Sequence, residues 1–249
     1  MTLLSQQSLL AYWSQPMIET NVIIFMNLVG ALLLGLLVGY ERSYHGRAAG
    51  MRTYGLVCVA SAGLTVIVGY PEMWFGGHAK IPTNPDVTRV IQGIVTGIGF
   101  LCSGVIIKEG FTISGLTTAA SIWLVSTIGV LVGVGFYGTA ILLSILSTLV
   151  MMWISRVETW LPTRHAISIV LSYQQNFKAS EDDVEKALAD CGLIIAKGSV
   201  VIKSNNGKAD WSFVAISQNH HMALSVAEIS QKLTQFNGVE NFQVSFARN

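Results

Sequence analysis

Charge is what the first 155 residues lack. No Asp, Glu, Lys or Arg occurs between Asn21 and Tyr40, between Thr53 and Pro71, or between Gly110 and Ser155. Together with a positive mean hydropathy and 12% charged residues overall, runs like these exclude an ordinary globular chain. Cysteine is scarce too: Cys58 and Cys102 lie inside apolar runs, Cys191 stands alone, and no CxxC spacing occurs. That argues against a disulfide framework or a zinc site. A net charge of +1 with no basic patch gives no reason to expect nucleic acid as a partner. The N-terminus has no basic n-region, so Met1 to Glu19 reads as an uncleaved polar and aromatic lead, with Tyr12 and Trp13 at a membrane interface.

What is present is unevenly placed. Residues 1–155 hold 11 charged residues and 20 of the 24 glycines, whereas residues 156–249 hold 18 charged residues and four glycines. The break falls near Arg156 and predicts a membrane domain over 1–155, a linker over 156–164 and a soluble domain over 165–249.

A helix crossing a hydrocarbon core of about 30 Å needs about 20 apolar residues. Spans are therefore expected near Asn21–Gly39, Thr53–Gly69 and Val90–Ile107. The 46 uncharged residues from Gly110 to Ser155 would make a helix of roughly 70 Å, twice that thickness, so they must fold back. The turn is expected at Gly133–Gly138, giving spans near Leu116–Val132 and Tyr137–Ile154. Small residues recur at helical spacing: Ala31, Gly35 and Gly39 in the first span, Gly93, Gly97, Gly99 and Gly104 in the third, and Gly129 in the fourth. Such stripes let helix backbones approach closely.

Between the first two spans lies G-Y-E-R-S-Y-H-G-R-A-A-G-M-R-T, Gly39 to Thr53, holding Glu41, Arg42, Arg47 and Arg52. Cytoplasmic loops retain Lys and Arg. Five spans with the N-terminus outside leave Arg42, Arg47, Arg52, Lys108, Arg156 and Arg164 inside, against Lys80 and Arg89 outside. The soluble domain then lies in the cytoplasm. The positive-inside rule accounts for the arginines but not for Glu41. Two readings stand: Glu41 pairs with Arg42, Arg47 or Arg52, or it is a cation- or proton-responsive group at the cytoplasmic mouth. Asn27 is read as an interhelical hydrogen bond or a substrate contact, and the hydroxyls of Thr117, Thr118 and Ser121 as bonds back to backbone carbonyls or across helices. His78 and the His220-His221 pair suggest a metal, but solvated loop positions serve as well, and no third ligand accompanies them.

Three blocks stand together: G-Y-E-R-S-Y-H-G-R-A-A-G-M-R-T-Y-G-L-V, then G-I-G-F-L-C-S-G-V-I, then G-L-T-T-A-A-S-I-W-L-V-S-T-I-G-V-L-V-G-V-G-F-Y. In this order they resemble the MgtC/SapB family of bacterial inner-membrane proteins over about residues 21–155. The family pattern falls on Glu41, Arg42, Arg47, Gly50, Arg52 and Thr53. It falls next on Gly97, Gly99, Phe100 and Gly104, and then on Thr117, Thr118, Ala119, Ala120, Trp123 and Gly129. Cys102-Ser103 stands where the pattern has Gly-Ala. The resemblance implies a role in growth under magnesium limitation, acid stress and survival in host cells. It implies a regulator of the membrane sector of the rotary ATP synthase, with magnesium or other cation transport as the alternative. No nucleophile–base pair or carboxylate cluster points to an enzyme. No cofactor is expected, and any metal ligands are left open because the spans themselves hold no Asp or Glu.

The soluble half alternates short elements. Strands are expected at His165–Ser172, Leu193–Lys203, Ala209–Ser217 and Val239–Ala247, with helices from Ser180, as cap, to Gly192 and from Met222 to Phe236. The order βαββαβ is the split βαβ arrangement. G-V-E-N-F-Q-V resembles the last strand of an ACT-like domain, which implies edge-to-edge homodimerisation or effector sensing. The expected fold is thus five transmembrane helices joined to a small α+β, ferredoxin- or ACT-like domain, in the lipid bilayer of the inner membrane.

Overall fold

The computed structural model describes residues 10–77, 85–109, 112–160, 166–175, 177, 180–196, 198–205, 208–217, 226–234 and 236–246. His78, Lys80, Arg164, His220 and His221 lie outside them. The chain divides into two compact units, residues 1–107 with 115–155, and residues 156–249 with the segment 108–114.

The first unit holds five helices long and apolar enough to cross a membrane. They are α1 (Gln15–Tyr44), α2 (Met51–Gly69), α3 (Val87–Val105), α4 (Leu116–Val134) and α5 (Tyr137–Trp160). Helix α1 is longer than its uncharged run because Pro16 is compatible with a helix's first turn and Gln15 bonds Glu19 one turn on. At 1.5 Å per residue it reaches about 45 Å. Helix α5 likewise continues through Trp160, because nothing in Arg156–Trp160 breaks a helix before Pro162. A 3-10 turn, Pro71–Gly77, follows α2. Asp86 caps α3, and the Thr88 hydroxyl and N–H donating to its carboxylate hold Asp86 below its ordinary pKa. A two-stranded hairpin, β1 (Ile107–Glu109) with β2 (Thr112–Ser114), separates α3 from α4.

Half of the spanning residues of α2 and of α4 are buried, against 28% for α1, 17% for α5 and 11% for α3. The α2–α4 pair is therefore the bundle's centre. Close approach explains it. A Cβ added to Gly35 would lie 2.8 Å from Cys58 Cβ, and one on Gly39 would lie 2.7 Å from Met51 Cα. From the other side a Cβ on Gly129 would overlap the Cys58 carbonyl, and one on Gly133 would come within 2.7 Å of Thr65 Cβ. Helix α2 is thus clasped between glycine faces of α1 and α4. Ala31 is fully buried on the same face of α1. The stripe of α3 behaves differently: a Cβ on Gly93, Gly97, Gly99 or Gly104 would meet nothing within 4 Å. Among the described residues, no helix approaches these four as closely as α2 approaches Gly35 and Gly129.

Gly133 belongs to α4 rather than to the turn, which Gly135 makes at φ +94°. The Gly135 N–H bonds the Val132 carbonyl and the Phe136 N–H the Leu131 carbonyl, a Schellman end that satisfies the last carbonyls of α4.

The second unit forms a five-stranded antiparallel sheet, built from β3 (Ala166–Tyr173), β4 (Leu193–Ile195), β5 (Val201–Asn205), β6 (Lys208–Ser217) and β7 (Val239–Phe246). Its order is β4-β6-β3-β7, with β5 also on β6. Helices α6 (Glu181–Ala189) and α7 (Val226–Thr234) supply Val184, Leu188, Ile229 and Leu233 to a core with Ile169, Leu171 and Phe213. Ile169 stands opposite Phe213 on one side and Val244 on the other. The single strand expected over Leu193–Lys203 is two. Gly198 turns the chain at φ +86°, and the Ser199 hydroxyl takes the Val214 N–H at 3.0 Å in place of a backbone carbonyl. Ser180 occupies the N-cap of α6, but its hydroxyl makes no capping bond.

Candidate functional site at the end of the first span

The last turn of α1 carries Glu41 and Arg42, and both side chains are buried. Arg42 Nε donates to Glu41 Oε2 at 2.5 Å, and His45 Nδ1, one turn on, lies 3.1 Å from Glu41 Oε1. A charge removed from water needs a partner and hydrogen bonds. Here the partners are the carboxylate's own sequence neighbours.

The loop that follows is built to turn α1 directly into α2. Gly46 takes φ +62°, the Arg47 N–H bonds the Arg42 carbonyl, and the Gly46 N–H bonds the Ser43 carbonyl, a second Schellman end. Ser43 then reaches forward, its hydroxyl accepting the Met51 N–H at 2.9 Å. That satisfies a first-turn donor of α2, whose N-cap, Gly50, has no side chain to do so. A Cβ on Gly50 would strike that hydroxyl. The glycines of this motif are therefore structural, and they hold Glu41 and Arg42 at the mouth of the α1–α2 contact.

Behind this pair the helices are joined by hydroxyls. Tyr54, wholly buried at the start of α2, bonds Ser121 of α4, and Ser121 donates to the Thr118 carbonyl at 2.9 Å. One stage deeper, Ser61 and Ser126 meet at 3.0 Å. Cys102 of α3 donates to the Ala119 carbonyl at 3.1 Å. The arrangement is a file of small polar contacts along the α2–α4 seam.

Not every expected residue joins it. Thr118 is buried, but Thr117 and Trp123 are exposed along α4. Arg47 and Arg52 are exposed and, among the described residues, make no ion pair, while Thr53 is half-buried. Asn27 is buried and accepts from the Tyr137 hydroxyl, joining α1 to α5. It lies 14 residues from Glu41, about 21 Å along the helix, so it is a separate feature. Sequence reasoning passed over His45, Ser43 and Tyr54. His45 had a signal, the i, i+4 spacing from Glu41. Tyr54 had none, since only packing brings it to Ser121, 67 residues on, although the Ser121 hydroxyl itself was readable as a bond to a backbone carbonyl or another helix. Among the described residues no group of three His, Cys, Asp or Glu is placed to hold a metal ion.

A sequence model of the MgtC family matches residues 28–160, the stretch that contains α2, α3, α4 and the Glu41–Arg42 turn. The chain belongs to the MgtC family. Among curated relatives, Protein MgtC of Brucella abortus strain 2308 is 42% identical over 113 residues, 45% of this chain and 43% of that protein. Protein MgtC of Salmonella typhimurium strain LT2 is 39% identical over 122 residues, 49% of this chain and 48% of its own length. The chain thus spans about half the length of the curated relatives it matches. No solved structure matches it. The family match ends at residue 160, and the comparisons lend no support to the ACT-like resemblance of the C-terminal domain.

Proposed function

We propose that this MgtC-family protein acts without catalysis in the bacterial inner membrane, supporting adaptation to magnesium limitation, acid or host stress by regulating another membrane complex. The membrane sector of the ATP synthase is the partner that the family resemblance implies. The observation that carries this reading is the state of Glu41. It is the one carboxylate buried among the described residues of the spans, and Arg42 and His45 already engage it. A cation pathway requires oxygen ligands free to replace hydration water. Glu41 is instead engaged by Arg42 and His45 at the end of α1 itself. The exposed Arg47, Arg52 and Lys108 support an orientation with the C-terminal domain in the cytoplasm. Strand β7 pairs on one side only among the described strands, and its free edge is the surface assigned to homodimerisation.

The competing reading is a transporter of Mg²⁺ or another cation. Proteoliposomes holding this protein alone, with Glu41→Gln as the matched control, separate the two. The regulator predicts no Mg²⁺ or proton flux from correctly inserted protein. Saturable flux that disappears in Glu41→Gln overturns it.

A further inference from the structure

Arg42 is 4% exposed, yet most of its hydrogen-bonding capacity is unused. A guanidinium carries donors on all three of its nitrogens. Nε is taken by Glu41, and the N–H groups of both terminal nitrogens have no acceptor among the described residues. Enclosed donors are nearly always partnered. The Tyr173 hydroxyl is the one fully enclosed side-chain polar atom left unpaired among the described residues, so the fork of Arg42 opens onto accessible surface. That surface lies beside the start of α2. Arg42 acts electrostatically on the Tyr54 phenol, and Ser43, the next residue, takes the Met51 N–H. The N–H groups of Arg52 and Thr53 in that first turn, and the Thr53 hydroxyl, find no partner among the described residues. The side chains of Arg47 and Arg52 are exposed and unpaired there as well.

Free donors, excess positive charge and a helix N-terminus together select an oxyanion. Arginine forks meet phosphate oxygens in pairs, and the first turn of a helix adds partial positive charge and N–H groups. The positive-inside rule asks only for charge, and lysine meets it as well as arginine. It accounts neither for a guanidinium buried with its fork free nor for three arginines and no lysine between Gly39 and Thr53. Tyr40 and Tyr44 stack at the same end of α1, ring centroids 6.4 Å apart, and both are exposed. Exposed tyrosines at the end of a span mark the headgroup level, so lipid phosphates lie at the height of these arginines. We propose that Arg42, Arg47, Arg52 and the first turn of α2 bind a phosphate oxyanion, carried by an anionic phospholipid headgroup or free in solution. The site depends neither on the regulator reading above nor on which side of the membrane it faces.

The test uses the full chain in a non-ionic, phosphate-free detergent and calorimetric titration with three probes. These are dioctanoylphosphatidylglycerol, dioctanoylglycerol, which has the same tails without the phosphate, and inorganic phosphate. Saturable binding of a phosphate-bearing probe is expected, and none of dioctanoylglycerol. Tighter binding of the lipid assigns the headgroup as occupant, and tighter binding of inorganic phosphate assigns the free anion; either upholds the site. The double variant Arg47→Lys, Arg52→Lys keeps every charge, and with it the topology, but loses the paired donors. Its affinity for the better probe is expected to fall at least about tenfold. Arg42→Lys, which leaves Glu41 a cationic partner, is expected to weaken that probe by a similar factor. Arg89→Lys, at the start of α3 beside Asp86, is the control and should bind as the parent does. Saturation by neither phosphate probe, or dioctanoylglycerol binding as tightly as its phosphatidyl counterpart, overturns the proposal. Parental affinity in either folded lysine variant of the site overturns it as well.

Discussion

Arg42 donates to the carboxylate of the residue immediately before it, Glu41, and both side chains are 5% exposed or less. Adjacent residues on a helix diverge by about 100°, so a contact at i, i+1 requires both side chains to be turned towards one another by their surroundings. The Gly39 face against Met51 and the wholly buried Tyr54 supply those surroundings.

Breaking this pair from one side leaves a buried charge. Glu41→Gln or Arg42→Gln alone should each cost about 3–5 kcal/mol. The double substitution removes both charges and should cost clearly less than the sum of the singles. Thermal melts of the four proteins in one detergent read this directly. Strictly additive losses would show that the pair is not coupled.

The glycine faces give a contrast within one chain. Leucine at Gly35 or Gly129 must displace backbone atoms of α2, so both variants should lose well over the about 1–3 kcal/mol typical of overpacking and fail to purify as monodisperse protein. Leucine at Gly93 or Gly97 meets open space, and the folded chain should melt within about 0.5 kcal/mol of the parent. Equal damage at the two sets would contradict the packing described for α2 and α3.

The α1–α2 turn predicts a rescue. Gly50→Ala places a methyl on the Ser43 hydroxyl that caps Met51, whereas Ser43→Ala alone forfeits the cap, about 1 kcal/mol. Gly50→Ala should therefore be severe in the parent and mild in a Ser43→Ala background. A Gly50→Ala loss of the same size in both backgrounds would remove Ser43 from the account.

These contacts show where the sequence was legible. The uncharged runs located all five spans, because the bilayer imposes length and apolarity on each helix separately. The helix ends were less legible: Gln15 and Trp160 lie beyond the uncharged runs, where helix continues at no electrostatic cost. The glycine stripes were visible, but their partners were not. Spacing shows that a face is narrow, not what lies opposite, so Gly35 and Gly97 read alike and stand in different surroundings. The Ser121 hydroxyl was readable as a cross-helix bond, but its partner Tyr54 was not, since 67 residues separate the two. In the C-terminal domain the alternation of β3 and β6 was readable, while the break at Gly198 was hidden by the apolar residues on both sides of it.

Burial pushes the Tyr173 phenol up to about 12, from 10.0. In the unfolded chain the phenol ionises first, so the folded form holds more protons between pH 10 and 12 and is destabilised as pH rises through that window. The contribution is fully present below pH 10 and falls away by about 2–3 kcal/mol by pH 12. Tyr173→Phe removes it, so the two proteins should lose stability in parallel up to pH 10 and diverge above it, with the parent falling faster. Phenolate absorbance developed near pH 10 should be the same in Tyr173→Phe as in the parent, because Tyr173 does not titrate there. Parallel stability curves through pH 12 would mean that Tyr173 ionises like an exposed tyrosine and that its hydroxyl is not enclosed.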